Sequence, residues 1–133
     1  MAVDSSGILY VADRDNNRIR KISSTGVVST LAGSGTAGHN DATGTAARFD
    51  RPSGVVVDSS SNLYVADSEN HRIRKITSAG VVSTFAGSGT AGHNDATGTA
   101  AKFNNPTGVA VDSSSNLYVA DTQNNRIRKI EYK

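Results

Sequence analysis

The chain has 133 residues, with 14 Lys and Arg against 12 Asp and Glu, no cysteine, and an apolar fraction of only 36%. That length can bury a core of ordinary size, but without cysteine there is neither a disulfide framework nor a thiolate metal site, and the redox compartment is left open. No apolar run is long enough for a signal peptide or a membrane span, and Gly, Ser, Thr, Asn and Asp replace the apolar residues, the composition of short strands joined by tight turns.

In chain order, the opening Ala2, Val3 and Asp4 match the middle of the later stretch Pro52 to Asp58, so the chain reads as starting inside a repeat of a longer array. Residues 8–22 then run Ile-Leu-Tyr-Val-Ala-Asp, a polar turn, and Arg-Ile-Arg-Lys-Ile. The same pattern returns at 62–76 and 116–130, with Leu9, Leu63 and Leu117 spaced by 54. A fixed period of this size signals a solenoid, a propeller or an array. Nine of the fourteen basic residues belong to the three Arg-Ile-Arg-Lys copies, so the small positive charge is a property of the repeat unit and argues against a nucleic-acid patch.

One full period, Pro52 to Asn105, predicts four strands at 54–58, 63–66, 72–77 and 81–86. Between them lie a polar Asp-Ser turn at 58–62, the turn at 67–71 and a Gly-containing turn at 78–80; a long Gly-rich connector follows. Both faces of Leu63-Tyr64-Val65-Ala66 are apolar, and both faces of residues 81–85 carry packable groups. A strand with one wet face would alternate cleanly, so these sheets are read as covered on both sides. That is the situation of a propeller blade sandwiched between two others. The expected layout is all-β: blade 1 at about 2–32, blade 2 at about 54–86, an incomplete blade 3 at about 108–133, and connectors at 33–53 and 87–107.

Gly-Val-x-Val-Asp, Asn-Leu-Tyr-Val-Ala-Asp, Asn-His-Arg-Ile-Arg-Lys-Ile and Gly-Val-Val-Ser-Thr-x-Ala-Gly together resemble the NHL repeat, over essentially the whole chain. Asn70-His71-Arg72 lies nearest to the motif that names the family; Asn16-Asn17-Arg18 and Asn124-Asn125-Arg126 depart from it. The resemblance implies a β-propeller of four-stranded antiparallel blades, most often six. On function it implies less, since the family includes RNA binders, interaction platforms, sensor domains and a few lyases or esterases. Eleven predicted strands make nearly three blades, and an open arc exposes two apolar blade faces. The partial propeller is therefore expected to be completed by oligomerisation, with a homodimer closing about six blades; a five-bladed dimer or a trimer with more blades stays open.

Several motifs invite a chemical reading. Gly33 to Gly38 and Gly87 to Gly92 match the dinucleotide fingerprint G-x-G-x-x-G, but the residues that follow, His39 to Gly44, are too rich in turn formers for the helix that must receive the pyrophosphate. They are read as flexible connectors. Asp13, Asp15 and Asn17 resemble the start of a calcium loop, yet Arg18 occupies the obligatory glycine and Ser24 the closing glutamate. Asp13, Asp67 and Asp121 each precede Arg18, Arg72 and Arg126 by five residues, and are read as structural turn pairs.

The histidines His39, His71 and His93, with Asn40, Asp41, Asn94 and Asp95, are expected on loops of one ring face as candidate ligand-binding residues. Nothing in their spacing forces imidazoles to within about 2.1 Å of a common metal. Residues 32–47 are identical to residues 86–101, as in recent duplication or deliberate consensus building, and identical loops argue against an asymmetric active site. Tyr10, Tyr64 and Tyr118 are assigned to the core, and Phe49 and Phe103 to plugs under the connectors. The reading is a non-catalytic structural and binding module with no catalytic, cofactor or metal residues. Its partner is expected to be itself, and a protein or small ligand. The alternatives are an RNA-binding propeller or, further off, a propeller hydrolase or lyase.

Overall fold

In the computed structural model, which describes residues 1–131, each repeat folds into one twisted antiparallel sheet. The first contains β1 (Ala2–Val3), β2 (Leu9–Asp13), β3 (Arg18–Ile22) and β4 (Val28–Ala32). The second contains β5 (Pro52–Val57), β6 (Leu63–Asp67), β7 (Arg72–Ile76) and β8 (Val82–Ala86). The third contains β9 (Pro106–Val111), β10 (Leu117–Asp121) and β11 (Arg126–Ile130). Tyr132 and Lys133, included above in blade 3, lie outside the described residues. Strands follow one another in sheet order, so every link within a blade is a hairpin. Among the described residues no helix is long and apolar enough to cross a membrane.

Local chemistry fixes each hairpin. Between β5 and β6 the Asp58 carboxylate accepts the amides of Ser60 and Asn62, both at 2.9 Å, which closes the turn without help from elsewhere. Between β6 and β7 a one-turn 3-10 helix, Ser68–Asn70, ends at His71 with φ 54°; Asn17 and Asn125 take the same left-handed conformation at φ 55° and 56°. Asn tolerates that region better than most residues, which suits it to this corner of the repeat.

The strands are apolar on both faces because both faces are buried. In β6, Leu63 and Val65 point toward blade 1 and join Tyr10, Ile19, Ala32, Phe49, Val55, Ile76 and Val82. Tyr64 and Ala66 point the other way and join Ile73, Ala86, Phe103, Leu117 and Val119. Successive residues thus serve two different cores, as the period of two requires. The blades meet most closely along the first strand of the later blade, β9 running beside β5 and β5 beside β2.

The approach is closest at Gly54: a β-carbon there would stand 2.9 Å from the Thr107 carbonyl oxygen and 3.1 Å from the Gly108 Cα. Its repeat partner Gly108 has only the Ala120 side chain at 3.7 Å. Gly54→Ala is expected to cost about 1–3 kcal/mol through overpacking and Gly108→Ala far less, a contrast that paired thermal melts would measure.

Candidate functional site

The polar centre of the repeat is a buried arginine. Arg74 lies on β7 with its side chain fully enclosed, and its guanidinium makes five hydrogen bonds. Nη1 donates to Asp67 Oδ2 at 2.7 Å and to the Arg48 carbonyl at 2.9 Å. Nη2 donates to Asp41 Oδ1 at 2.8 Å and to the Asn40 carbonyl at 2.9 Å, and Nε reaches Asp41 Oδ1 at 3.2 Å. An arginine has five donors and no acceptor, so the group is saturated. It also sits 4.9 Å over the Phe49 ring. Arg128 repeats the arrangement with Asp121, Asp95, Asn94, Lys102 and Phe103.

This corrects the predicted turn pairs. Asp13, Asp67 and Asp121 do stand opposite Arg18, Arg72 and Arg126 in backbone register. Their carboxylates, however, bind Arg20, Arg74 and Arg128, two residues further along. The side chains of Arg18 and Arg72 leave the hairpin and donate to the Ser34 and Ser88 carbonyls of the connectors, at 3.1 Å each. The Asp67 carboxylate is instead the organiser of its corner, accepting also from the Asn70 side chain and the Asp50 amide. Burial pushes its carboxyl upward, against the opposing pull of Arg74 and these donors.

The connectors, expected to be flexible, are instead pinned. In the first, Gly33 donates to the Gly44 carbonyl, Ser34 to Ala47 and Gly38 to Phe49, and Asn40 bridges Arg48. The first glycine of each dinucleotide-like motif serves packing: Gly87 has φ 101°, and a β-carbon on it would fall 2.6 Å from the His71 carbonyl oxygen. Asp41 and Asn40 thereby reach Arg74, and Asp95 and Asn94 reach Arg128. Arg20 of blade 1 binds only Asp13, and its Nε is the one buried side-chain nitrogen or oxygen without a hydrogen bond among the described residues.

The three histidines do not converge. His71 Nδ1 accepts the Asn105 amide at 3.0 Å, tying the β6–β7 corner to the start of β9; Asn17 Oδ1 does the same for the Arg51 amide at 2.9 Å. His39 lies beside the outermost strand of blade 2, with Nε2 3.0 Å from Thr84 Oγ1. The Thr84 hydroxyl gives its single proton to Asp41 Oδ2 at 2.9 Å, so His39 Nε2 is the donor to the hydroxyl. Burial, and then Arg74 and Arg72, lower the His39 pKa below its ordinary 6.5, with Asp41 pulling the other way. For Asp41, burial acts upward, but the Thr84 hydroxyl and Arg74 outweigh it and hold the carboxyl below 3.8. In blade 3, His93 stands 3.7 Å from Asp95. Among the described residues no three His, Asp or Glu side chains are placed to hold a metal.

Sequence reasoning missed Arg74, Arg128 and Thr84. An arginine in strand phase with the core-facing Ile76 was the available signal, since such a residue is buried and must be paired.

The NHL repeat profile matches residues 1–22, 49–76 and 103–130. The chain belongs to the NHL repeat family. It is 34% identical over 132 residues to the chloroplastic protein SUPPRESSOR OF QUENCHING 1 of Arabidopsis thaliana, a match covering 92% of this chain and 12% of the plant protein. A solved Bacteroides thetaiotaomicron protein of unknown function superposes with a TM-score of 0.86 at 29% identity, over 92% of this chain and 32% of its own. An auxiliary nutrient-binding protein of the same organism superposes at 0.78 with 31% identity, over 92% and 34%. The chain thus spans about an eighth of the plant relative and about a third of these solved structures.

Arg74→Met strands the buried Asp67 carboxylate and is expected to cost about 3–5 kcal/mol, while Arg72→Met, which removes one carbonyl bond, should cost about 1 kcal/mol; urea midpoints separate the two. His39 has a lowered folded pKa, so its contribution is complete above the unfolded value of 6.5 and is lost as pH falls from there through the lower folded pKa. The melting temperature should drop between pH 7.5 and 5.5, and less so in His39→Asn.

Proposed function

We propose that the chain is a non-catalytic binding and assembly module, whose two open blade faces pair head to tail so that two copies close a ring of about six blades. One observation carries this reading. Ile19 and Ile73 are completely buried against the following blade, whereas the third copy, Ile127, is 74% exposed. The opposite end mirrors it: Val82 is buried against the preceding blade, and its counterpart Val28 is 52% exposed. Tyr10 and Tyr64 are buried, and Tyr118 is partly open.

The internal interfaces supply the template for closure. The exposed face of blade 3 carries the residues with which blades 1 and 2 already grip their successors, and the exposed face of blade 1 carries those with which blade 2 is gripped. The two patches differ, so the contact is heterologous and closes only as a ring. Burying each large aliphatic side chain contributes about 1.5–3 kcal/mol, and closure covers both patches twice.

Binding chemistry falls to the loop around His93 and Asp95, which grips Arg128 as the first connector grips Arg74 but leaves the Asp95 side chain 77% exposed against 39% for Asp41. Similarity to a nutrient-binding protein supports a small ligand as the class of partner. Against an acid-base role, Asp41 is held as an anion by Arg74, which makes it a weak base.

Light scattering at micromolar concentration should give twice the chain mass. Ile127→Asp, on a side chain already in solvent within one chain, should give a folded monomer with an unchanged circular dichroism spectrum; a wild-type monomer would sink the reading.

A further inference from the structure

The corner between the second and third strands of each blade ends on one residue in the left-handed conformation: Asn17 at φ 55°, His71 at 54° and Asn125 at 56°. The first two reach forward and hold the end of the connector that follows. Asn17 Oδ1 accepts the Arg51 amide at 2.9 Å, and His71 Nδ1 accepts the Asn105 amide at 3.0 Å. Both held residues stand directly before the proline that opens the first strand of the next blade, Pro52 of β5 and Pro106 of β9. Both are themselves left-handed, with φ 52° at Arg51 and 49° at Asn105. A residue other than glycine keeps that conformation only where its surroundings fix it. The tie therefore helps to set the direction in which the next blade begins.

The two ties are alike in place and unlike in chemistry. The amide oxygen of Asn17 accepts at any ordinary pH, whereas an imidazole changes charge between about pH 5 and 8. A backbone N–H can only donate, so Nδ1 of His71 carries no proton and the ring is the neutral tautomer with its hydrogen on Nε2. A proton on Nδ1 would set two N–H groups against each other across 3.0 Å and end the bond. His71 is half-buried, so a proton reaches it without the fold opening. His39 differs, because its Nε2 is the donor to Thr84 and a proton taken up at Nδ1 leaves that bond in place.

The charged groups around this junction come from four elements. Glu69 and Arg72 flank His71 in its own corner, and Arg72 is directed to the Ser88 carbonyl of the connector. Asp50, at the end of the preceding connector, accepts the Glu69 amide through its carbonyl. From blade 3, Asp121 accepts the Asn104 amide at 2.8 Å. Glu69 Oε1 also accepts the Asn105 side-chain amide at 3.1 Å, a second hold on the same residue.

We propose that His71 is a pH-operated tie between blade 2 and blade 3: as the neutral imidazole it holds the start of β9, and on taking a proton at Nδ1 it lets go. The junction between blades 1 and 2, held by Asn17, stays closed under the same conditions. Because Glu69 keeps its bond to the Asn105 side chain, acid loosens the second junction without unfolding blade 3. The tie acts within one chain and does not depend on ring closure.

The test is amide hydrogen exchange of the full chain, followed by NMR at about pH 7.5 and about pH 5.5 and corrected for the intrinsic rate at each pH. Protection at the Asn105 amide should fall about five- to tenfold on acidification, the equivalent of one net hydrogen bond, while the Arg51 amide stays unchanged. Imidazole nitrogen shifts at the higher pH should place the His71 hydrogen on Nε2. His71→Asn, which installs the residue that the other two repeats carry at this corner, should keep the protection at Asn105 and abolish its pH dependence. Equal corrected protection at Asn105 at both pH values, an equal fall at Arg51 and Asn105, an Nδ1–H tautomer at the higher pH, or a loss at Asn105 that survives His71→Asn would each overturn the proposal.

Discussion

A buried guanidinium must have all five of its donors satisfied, and the sheet that carries Arg74 satisfies only one of them. Arg74 takes one from its own sheet, Asp67, and the rest from the connector that arrives from blade 1. An unpaired charge in that position would be costly, so the connector is held in one path by the arginine it satisfies. The same path brings Phe49 under the guanidinium and carries Gly33 and Gly38 into their bonds. Blade, connector and next blade become one cooperative unit through this residue, and Arg128 repeats the arrangement one period on.

That dependence makes the array directional. Each blade supplies Tyr, Ile and Ala to the blade after it, and Leu, Val and Ile to the blade before it. Nearest-neighbour contacts of this kind make stability a sum over blades and interfaces. The middle blade has both neighbours, and all five residues of its β6 are buried. The outer blades carry the same residues half open, as the exposure of Val28 and Ile127 shows. Arg20 records the same fact in polar terms, binding the one acceptor its own sheet provides and lacking those a connector gives to Arg74.

Much of the fold was legible because repetition and alternation are local signals. The 54-residue period, the two-sided apolar strands and the turn residues lead to four-stranded blades without knowledge of any contact. The polar site was legible only in part. Opposition of Asp67 and Arg72 across the hairpin is correct as register and wrong as a side-chain pair, because Arg72 turns outward to Ser88 while Arg74, in phase with Ile76, points inward. His39, Asn40 and Asp41 were singled out as loop residues that could meet a ligand; instead Asp41 and Asn40 bind Arg74, 33 and 34 positions away, and Asp41 and His39 bind Thr84, 43 and 45 positions away. His71, the residue nearest the family's naming motif, works as a backbone acceptor in the role that Asn17 fills in blade 1.

By itself the sequence determined the strand periodicity, the turn chemistry and the equivalence of the three repeats, because each depends on residues within a few positions of one another. The tertiary structure alone decided which charges pair, how the connector runs, and which copy of each repeated group remains open to solvent. Identical residues differ in those respects: Asp41 and Asp95 have the same neighbours in sequence, yet one lies under a strand and the other lines a cleft. The physical reason is that burial and hydrogen-bond satisfaction are set by what packs from the adjacent blade, and a repeat does not encode where in the array it stands.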